Sequence, residues 1–567
     1  MSKEVSAKVW LDRIHMGQKF QLNFARARDW STYKSYYRHK FKEGIIPVNM
    51  VYSILRAMVP QIYLRNPRVS VPSTRPGMQY ELNARIVQHL DNWFIRELAL
   101  KYEFKKLIAD NFFCGIASAF DGYDATTSTK STGRFNPTVQ LKDGMPWFLR
   151  ARPEDVVFPW GCADKDTAEW VALRIFRKVS DLKADKTYSN TDTLKGDITP
   201  KRTGPEGEIY DAMPLDQQIS TDSEDVQWVE IWEVHDSRSG KLYAVTKDID
   251  KFLRDEEDPA QIEGLPVYTI VFNPDPDYIY GIPDVRILEP QLLELNEIRT
   301  QAMKHRRIDL AKLITKKGVF SPEEKQKMMS EQVQSVAEAD VDVALRDAVM
   351  PAPNMASGIM QDMAFAGSIA QADIREAVGF SRVAQGEYQG KTHISSEETK
   401  RVFQALNIRL DERRDLIVDT LSFAIRKFNQ YIFKNWTGRQ AAQVIGPDGA
   451  KYWIGFTGKE IKDEYNLSVE VEEGLALDSK TRLDMAVAAG KAWAEMNQGA
   501  VKAGIPVPME IQRAVFMNIP GIDSDRLLAQ IEQMNETTKK MMAGGIGQNP
   551  AQPVPLPEMA QMMGGGQ

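Results

Sequence analysis

Tyr280-Gly281-Ile282-Pro283-Asp284-Val285, followed by Gln291-Leu292-Leu293-Glu294-Leu295-Asn296-Glu297-Ile298-Arg299, is where the chain changes character. Before it, short runs rich in β-branched and aromatic residues are separated by polar loops. Residues 117–123, 169–176, 227–234, 242–246 and 267–272 read as strands. After it, Leu288, Leu292, Leu295, Ile298 and Ala302 step by four, three, three and four, with Glu289, Glu294 and Glu297 off that stripe. Such spacing is that of a helix with one apolar face. A β-rich part therefore hands over to a helical part here, and the fold class is α+β, mostly helical.

Toward the N-terminus, residues 1–37 mix aromatic and basic side chains and read as helix. An apolar helix over 45–64 is closed by Asn66-Pro67, because the residue before proline is pushed out of the helical region. Residues 68–71 alternate as a strand does, and a single long helix is expected over 79–114, with Leu82, Ile86, Leu90, Phe94 and Leu98 on one face. The polar, Gly/Pro-studded stretch 187–225 reads as a mobile loop.

Toward the C-terminus, an insert over 312–353 interrupts two helices. Its ends, Leu313-Ile314-Thr315 and 341–345, are expected to pair as strands around a helix at 322–336. A helix over 356–377 and a Gly-, Gln- and Ser-rich loop over 379–394 follow. Residues 395–436 then form one long helix. Ser395 and Glu398 match a capping box, and Val402, Leu406, Leu410, Ile417, Leu421, Ile425, Phe428 and Ile432 hold its apolar face. At ~1.5 Å per residue it is about 60 Å long. A strand pair (451–456 with 467–471), helices over 479–542 and a Gly/Pro/Gln/Met-rich tail with the composition of disorder complete the chain.

At 567 residues the chain exceeds one ordinary core, so more than one lobe is expected. A formal charge of -6 excludes the bulk basic balance of a protein that grips nucleic acid, and leaves room for one that handles it without holding it. The two cysteines, Cys114 and Cys162, form no CxxC spacing and support neither a disulfide framework nor a zinc site. The tightest apolar run, 112–120, is about half of what a membrane helix needs, and the first residues carry no apolar signal-peptide stretch.

The order of these parts resembles the portal proteins of tailed bacteriophages, the head-to-tail connectors. Three local stretches carry the resemblance: Asn49-Met50-Val51-Tyr52-Ser53-Ile54-Leu55-Arg56 running to Asn66-Pro67-Arg68-Val69-Ser70-Val71; Asp110-Asn111-Phe112-Phe113-Cys114-Gly115 leading to Gly122-Tyr123-Asp124; and the opening stretch, which is similar to that family's entry into a stem helix. The resemblance implies a division into an N-terminal wing (1–282), a first stem helix (283–311), a small α/β clip (312–353), a second stem helix (354–378), a tunnel loop (379–394), a long wing helix with strands (395–476), helical crown (477–542) and a disordered tail (543–567). That tail departs from members carrying a long helical barrel. By the same resemblance the chain is a non-enzymatic virion protein assembled in the host cytoplasm. It forms a ring, a dodecamer in particles, at one capsid vertex. Duplex DNA passes through it without sequence readout, and the terminase large subunit, a neck or tail adaptor, and the major capsid and scaffolding proteins are its partners. No cofactor and no membrane are implied.

Within that frame, Gln385, Gln389, Lys391, Thr392 and His393 are the candidate DNA-facing residues of the tunnel loop, polar and mostly uncharged on a segment loosened by glycines at 379, 386 and 390. Lys304, Arg306 and Arg307 near the end of the first stem helix, with Lys316 and Lys317 in the clip, are candidate channel-mouth contacts. Cations at a helix C-terminus also simply complement its dipole, so both readings stand. Gly390-Lys391-Thr392 imitates the end of a phosphate-binding loop, but the first glycine of that motif falls on Gln385, and the motif needs a strand before it where 369–378 reads as helix. The six histidines fall in no metal-ligand frame, and Asp255-Glu256-Glu257-Asp258 reads as a solvated turn. Two other classes stay open: another head-tail structural protein such as a neck adaptor, and a nucleotide-binding packaging component.

Overall fold

The computed structural model describes residues 6–63, 68–71, 78–125, 139–140, 144–194, 196, 228–247, 249–308, 313–315, 317–328, 349–351, 357–378, 396–438, 440–445, 451–461, 468–470 and 491. The chain divides into two compact units, one comprising Met1–Gly133, Leu141–Gly438 and Thr457–Gly474, the other Arg134–Gln140, Arg439–Phe456 and Leu475–Gln567. In chain order the helices are α1 (Ala7–Ala27), α2 (Trp30–Tyr37), α3 (Met50–Ile62), α4 (Met78–Glu97), α5 (Leu100–Cys114), α6 (Val179–Ala184), α7 (Asp284–Ile308), α8 (Pro322–Met328), α9 (Ser357–Val378) and α10 (Ser396–Asn435). The strands are β1 (Arg68–Ser70), β2 (Ala117–Asp124), β3 (Val139–Gln140), β4 (Met145–Ala151), β5 (Val156–Val157), β6 (Trp170–Lys178), β7 (Trp228–Asp236), β8 (Lys241–Thr246), β9 (Ile249–Glu257), β10 (Val267–Ile270), β11 (Leu313–Thr315), β12 (Val349–Pro351), β13 (Gln440–Ile445), β14 (Lys451–Phe456) and β15 (Ser468–Glu470). Helices and sheets coexist in one chain, and the fold class is α+β.

In the first unit an antiparallel sheet of order β5-β6-β7-β8-β9 buries both faces. On one, Ala7, Trp10 and Ile14 of α1 pack on Val157, Trp170, Ala172, Trp232, Val234, Tyr243 and Val245. Trp10 meets Trp170 edge-on at 5.9 Å between ring centroids. The backbone of α1 approaches so closely that a Cβ on Gly17 would lie 2.5 Å from the Phe158 carbonyl oxygen. On the other face, Val179 and Leu182 of α6 join Tyr188 and Leu194 over Val229, Ile231, Ala244 and Leu253. The start of the supposed mobile loop is thus core: Tyr188 is buried and its hydroxyl donates to Glu233 at 2.9 Å. Residues 195 and 197–225 of that loop lie outside the described residues.

A second sheet, β10-β2-β4, packs against α5 and α10. Phe104 of α5 stacks on Phe148 of β4 at 5.5 Å, and Phe148 meets Phe428 of α10 edge-on at 6.4 Å. The apolar stripe of α10 is observed where its side chains are described, with Ile417, Leu421, Ile425, Phe428 and Ile432 all buried.

Several expectations are corrected. The helix over 79–114 is two helices, broken where Ala99 takes a left-handed conformation (φ 50°). Ala and Leu favour helix on either side, so the break comes from packing rather than propensity, and it seats Leu100 with no exposed surface. The apolar helix before it, α3, starts at Met50, not 45. Pro47 sends the preceding residue out of the helical region, and the Asn49 side chain caps the helix by accepting from Tyr52 N at 3.0 Å. The acidic run 255–258 is no solvated turn. Asp255 on β9 pairs with Lys241, Glu256 pairs with Arg254, and buried Asp258 bonds His235 at 2.6 Å. Strand β15 pairs with β1 rather than with 451–456. The Asn92 side chain of α4 extends that ribbon, accepting from Val69 N and donating to Val69 O.

In the second unit β14, β13 and β3 form an antiparallel sheet in that order, with Gln440 opposite Phe456 and Ala441 opposite Gln140. Strand β13 was not legible because Gln440-Ala441-Ala442-Gln443 shows no alternation. The expected helices over 479–542 and the tail lie outside the described residues, Lys491 apart.

Candidate helix hairpin and its anchor

Helices α7 and α9 pack against each other and flank the ribbon β11–β12. Leu313 stands opposite Pro351 and Thr315 opposite Val349, so the insert does close by strand pairing. Its second strand is 349–351, however, and 341–345 lies outside the described residues. Between the strands, Ser321 caps α8 by accepting from Glu324 N at 3.2 Å, and Pro322 sits at the first helical position where its missing N–H costs nothing. Val319 and Phe320 are buried beneath this turn.

The start of α7 is held more firmly than any helix end needs. Asp284, nearly fully buried, accepts from both guanidinium nitrogens of Arg413 on α10, at 2.8 and 3.0 Å, and from Asn273 at 2.9 Å. A forked guanidinium–carboxylate pair is strong and directional, and a carboxylate in the first turn also meets the positive end of the helix dipole. The Arg413 guanidinium lies over the Phe272 ring at 5.1 Å. Asn273 further donates to Ile282 O and accepts from Ile282 N, tying the turn to the end of the β10 segment. On the other side Arg28, just past α1, donates to the carbonyls of Tyr280 and Gly281 and pairs with Asp275 at 2.7 Å. Gly281 presses on Gly115, the left-handed cap of α5 (φ 75°). A Cβ on Gly281 would lie 2.6 Å from both Asn273 O and Gly115 O, so both positions require glycine.

Further along α7, buried Asn296 and Thr300 accept from Val48 N (2.7 Å) and Ile46 N (2.9 Å). They satisfy the backbone of the extended segment that Pro47 keeps out of α3. Tyr33 of α2 donates to Glu289 at 3.0 Å. Burial together with the Glu289 charge raises the Tyr33 phenol above its ordinary pKa, while the Arg286 side chain opposes the rise. The inner face of α7 (Val285, Leu288, Leu292, Leu295) is buried, as is that of α9 (Ala370, Ile374). Their other faces are mixed: among charged residues such as Glu294, Glu297 and Arg299, Ile287, Leu293 and Met303 of α7 are exposed, and so are Phe365 (68%) and Ile369 of α9.

Of the candidate site residues, Lys304 is exposed on the last turns of α7 and Lys317 is exposed in the turn after β11. Arg306 and Arg307 belong to the last turn of α7, with their side chains outside the described residues. Lys316 lies outside the description, as do Gln385, Gln389, Lys391, Thr392 and His393 with the whole of 379–394. The residues leading to that stretch are the helix α9 through Val378, where a phosphate-binding loop needs a strand. Among the described residues no group of His, Cys, Asp and Glu is arranged to hold a metal ion, and no helix is long and apolar enough to cross a membrane. Reading the sequence missed the anchor itself. Asp284 was in the decisive stretch, but nothing in one sequence names Arg413 as its partner, or Arg28 and Gly115 as the residues that hold Tyr280 and Gly281 before it.

No protein-family model matches the chain, and no curated protein matches it. Among solved structures it aligns with a chain from the neck of an empty gene transfer agent particle over 81% of its own length and 90% of that chain, at 12% identity and TM-score 0.36. It aligns with a chain from the virion of a native gene transfer agent particle over 85% and 94%, at 12% identity and TM-score 0.35. Likeness at this level carries no argument about function.

Proposed function

We propose that this chain is the portal subunit of a tailed-phage-like particle, a structural protein that forms a ring at one vertex of the head. DNA would enter and leave through the ring's channel, and the packaging motor and the neck or tail adaptor would dock on its clip, residues 312–353. The observation that most supports this is the α7–ribbon–α9 hairpin. One end of it is locked to the body through Asp284, Arg413, Arg28 and the Gly115–Gly281 contact, while apolar side chains remain exposed along both of its helices.

A soluble subunit that displays Phe365, Ile369, Ile287 and Leu293 on two adjacent helices gains by burying them. Repeating one subunit around an axis does this with a heterologous contact that closes into a ring. A rigid anchor suits such a hairpin, because an error in its tilt would be repeated in every subunit. The sequence resemblance adds the order of parts and implies a dodecamer within the virion, assembled in the host cytoplasm. Under this reading the protein is not an enzyme and uses no cofactor, and 379–394 lines the channel. The Lys304 and Lys317 charges, modest in one subunit, become bands when repeated.

The test is assembly. Native mass measurement of the purified chain is expected to give a closed oligomer. Phe365→Asp with Ile369→Asp is expected to shift it to monomer while the circular dichroism spectrum stays that of the folded chain. A chain that is monomeric at every salt and protein concentration would oppose the proposal, and a smaller ring without an open channel would favour a neck adaptor.

A further inference from the structure

The outer sides of α3 and α5 carry three cations with no acidic partner among the described residues. Several half-buried cations of the first unit are matched: Lys34 with Glu154, Arg150 with Asp110, Arg174 with Asp155, and Lys106 of α5 itself with Glu103. Arg56 on α3, and Lys101 and Lys105 one turn apart on α5, have no acidic partner and no hydrogen bond among the described residues. Glu103 is drawn inward, accepting from Arg150 N at 3.0 Å and pairing with Lys106 at 2.7 Å. That carboxylate is therefore spent. The three cations also feel one another. Partial burial, then the charges of Lys101 and Arg56, hold the Lys105 ammonium below its ordinary pKa. Two tyrosines flank them: Tyr52 on α3 is 47% exposed and Tyr102 on α5 is 63% exposed. Ser53 is exposed beside Tyr52.

We propose that this face of α3 and α5 binds the phosphate backbone of duplex DNA through Arg56, Lys101 and Lys105, without reading sequence. The donor set is the one phosphates take: guanidinium and ammonium groups with no protein acceptor among the described residues, on two packed helices that also expose Tyr52 and Tyr102. A carboxylate-bearing protein segment would be served by matched ion pairs and an apolar neighbour. Here the exposed aromatic side chains of the two helices, Tyr52 and Tyr102, end in hydroxyls. The overall charge of -6 does not oppose this, because three unmatched cations on two adjacent helices set the local field. The site is separate from the Lys304 region at the end of α7 and from 379–394. The choice of duplex DNA as the polyanion rests on the proposed function; the phosphate chemistry does not.

The experiment uses the full chain and a fluorescently labelled random-sequence duplex of about 30 base pairs, read by anisotropy between 50 and 200 mM NaCl. Each phosphate contact contributes about 0.9 to the slope of log affinity against log salt. The triple variant Arg56→Ser/Lys101→Ser/Lys105→Ser is expected to lower that slope by about 2.7 and to weaken binding at least about tenfold at 100 mM salt. A charge-matched control, Lys8→Ser/Lys186→Ser/Lys251→Ser, removes three exposed lysines elsewhere and is expected to keep the slope. Equal losses in both variants, an unchanged slope in the first, or binding to phosphatidylserine vesicles in place of the duplex would each overturn the inference. Rings that ignore the duplex would refute it and leave the portal reading standing. Monomers that bind the duplex through these residues would do the reverse.

Discussion

Removing Arg413 isolates the effect of the anchor at the start of α7. Arg413→Ala leaves the Asp284 carboxylate, only a few percent exposed, with Asn273 as its remaining side-chain donor. Deleting one partner of a buried pair costs about 3–5 kcal/mol, because the other charge stays desolvated. The helix dipole returns at most about 1 kcal/mol of this, and the retained Asn273 bond holds the carboxylate in place. A net loss of about 2–4 kcal/mol corresponds to roughly 30- to 1000-fold faster exchange of amides that open with this helix start. Hydrogen–deuterium exchange of peptides from the first half of α7 measures it without assuming that a chain of two units unfolds in one step. The double variant Arg413→Ala/Asp284→Asn removes the stranded charge and is expected to recover at least half of the loss. If α7 exchanges at the wild-type rate in Arg413→Ala, or if the double variant equals the sum of its singles, the anchor does not work as described.

Three further outcomes follow from buried groups. Gly115→Ala places a Cβ inside the Gly281 carbonyl at φ 75°, and is expected to cost at least about 3 kcal/mol, read as loss of soluble protein or a lowered melting temperature. Burial raises the carboxyl of Asp91 well above its usual range, against a smaller lowering by the Asn429 side chain at 3.3 Å. The folded chain therefore holds that proton more tightly than the unfolded one, and the stability this lends is full below the ordinary carboxylate pKa and lost as pH rises through the folded value. Asp91→Asn is expected to remove that loss and to gain about 1–3 kcal/mol at pH 8, seen as a melting-temperature difference that vanishes toward pH 3. Burial pushes the Cys162 thiol up to about 11, so maleimide at pH 7 is expected to label it only in denaturant; rapid labelling of the native protein would contradict its burial.

What was legible follows from how local the signal was. The stripe Leu288–Leu292–Leu295 and the face of α10 from Ile417 to Ile432 repeat a helical period over many residues; α10 is observed within a residue of its expected bounds, and α7 begins within a residue of its expected start and is described to Ile308. The break at Ala99 was invisible because a left-handed alanine is imposed by what Leu100 packs into, not by its neighbours in sequence. Pro47 did carry a local signal for the late start of α3; what it could not reveal was that Asn296 and Thr300, some 250 residues away, accept the freed N–H groups. Strand pairing failed for the same reason. Residues 68–70 and 468–470 each read as extended, but pairing them is a fact about the assembled unit. The candidate contacts were chosen by charge and glycine content, which locates Lys304 and Lys317 on exposed positions. Arg56, Lys101 and Lys105 went unnoticed because each is unremarkable alone and they meet only across two helices.

The most direct measurement of the central claim is electron microscopy of the purified full-length chain. The account predicts closed rings with an open axial channel, in which α7 and α9 of neighbouring subunits pack around the axis and bury Phe365 and Ile369 against one another. Particles without a channel, or rings in which these two helices lie at the outer rim with those side chains in solvent, would contradict it.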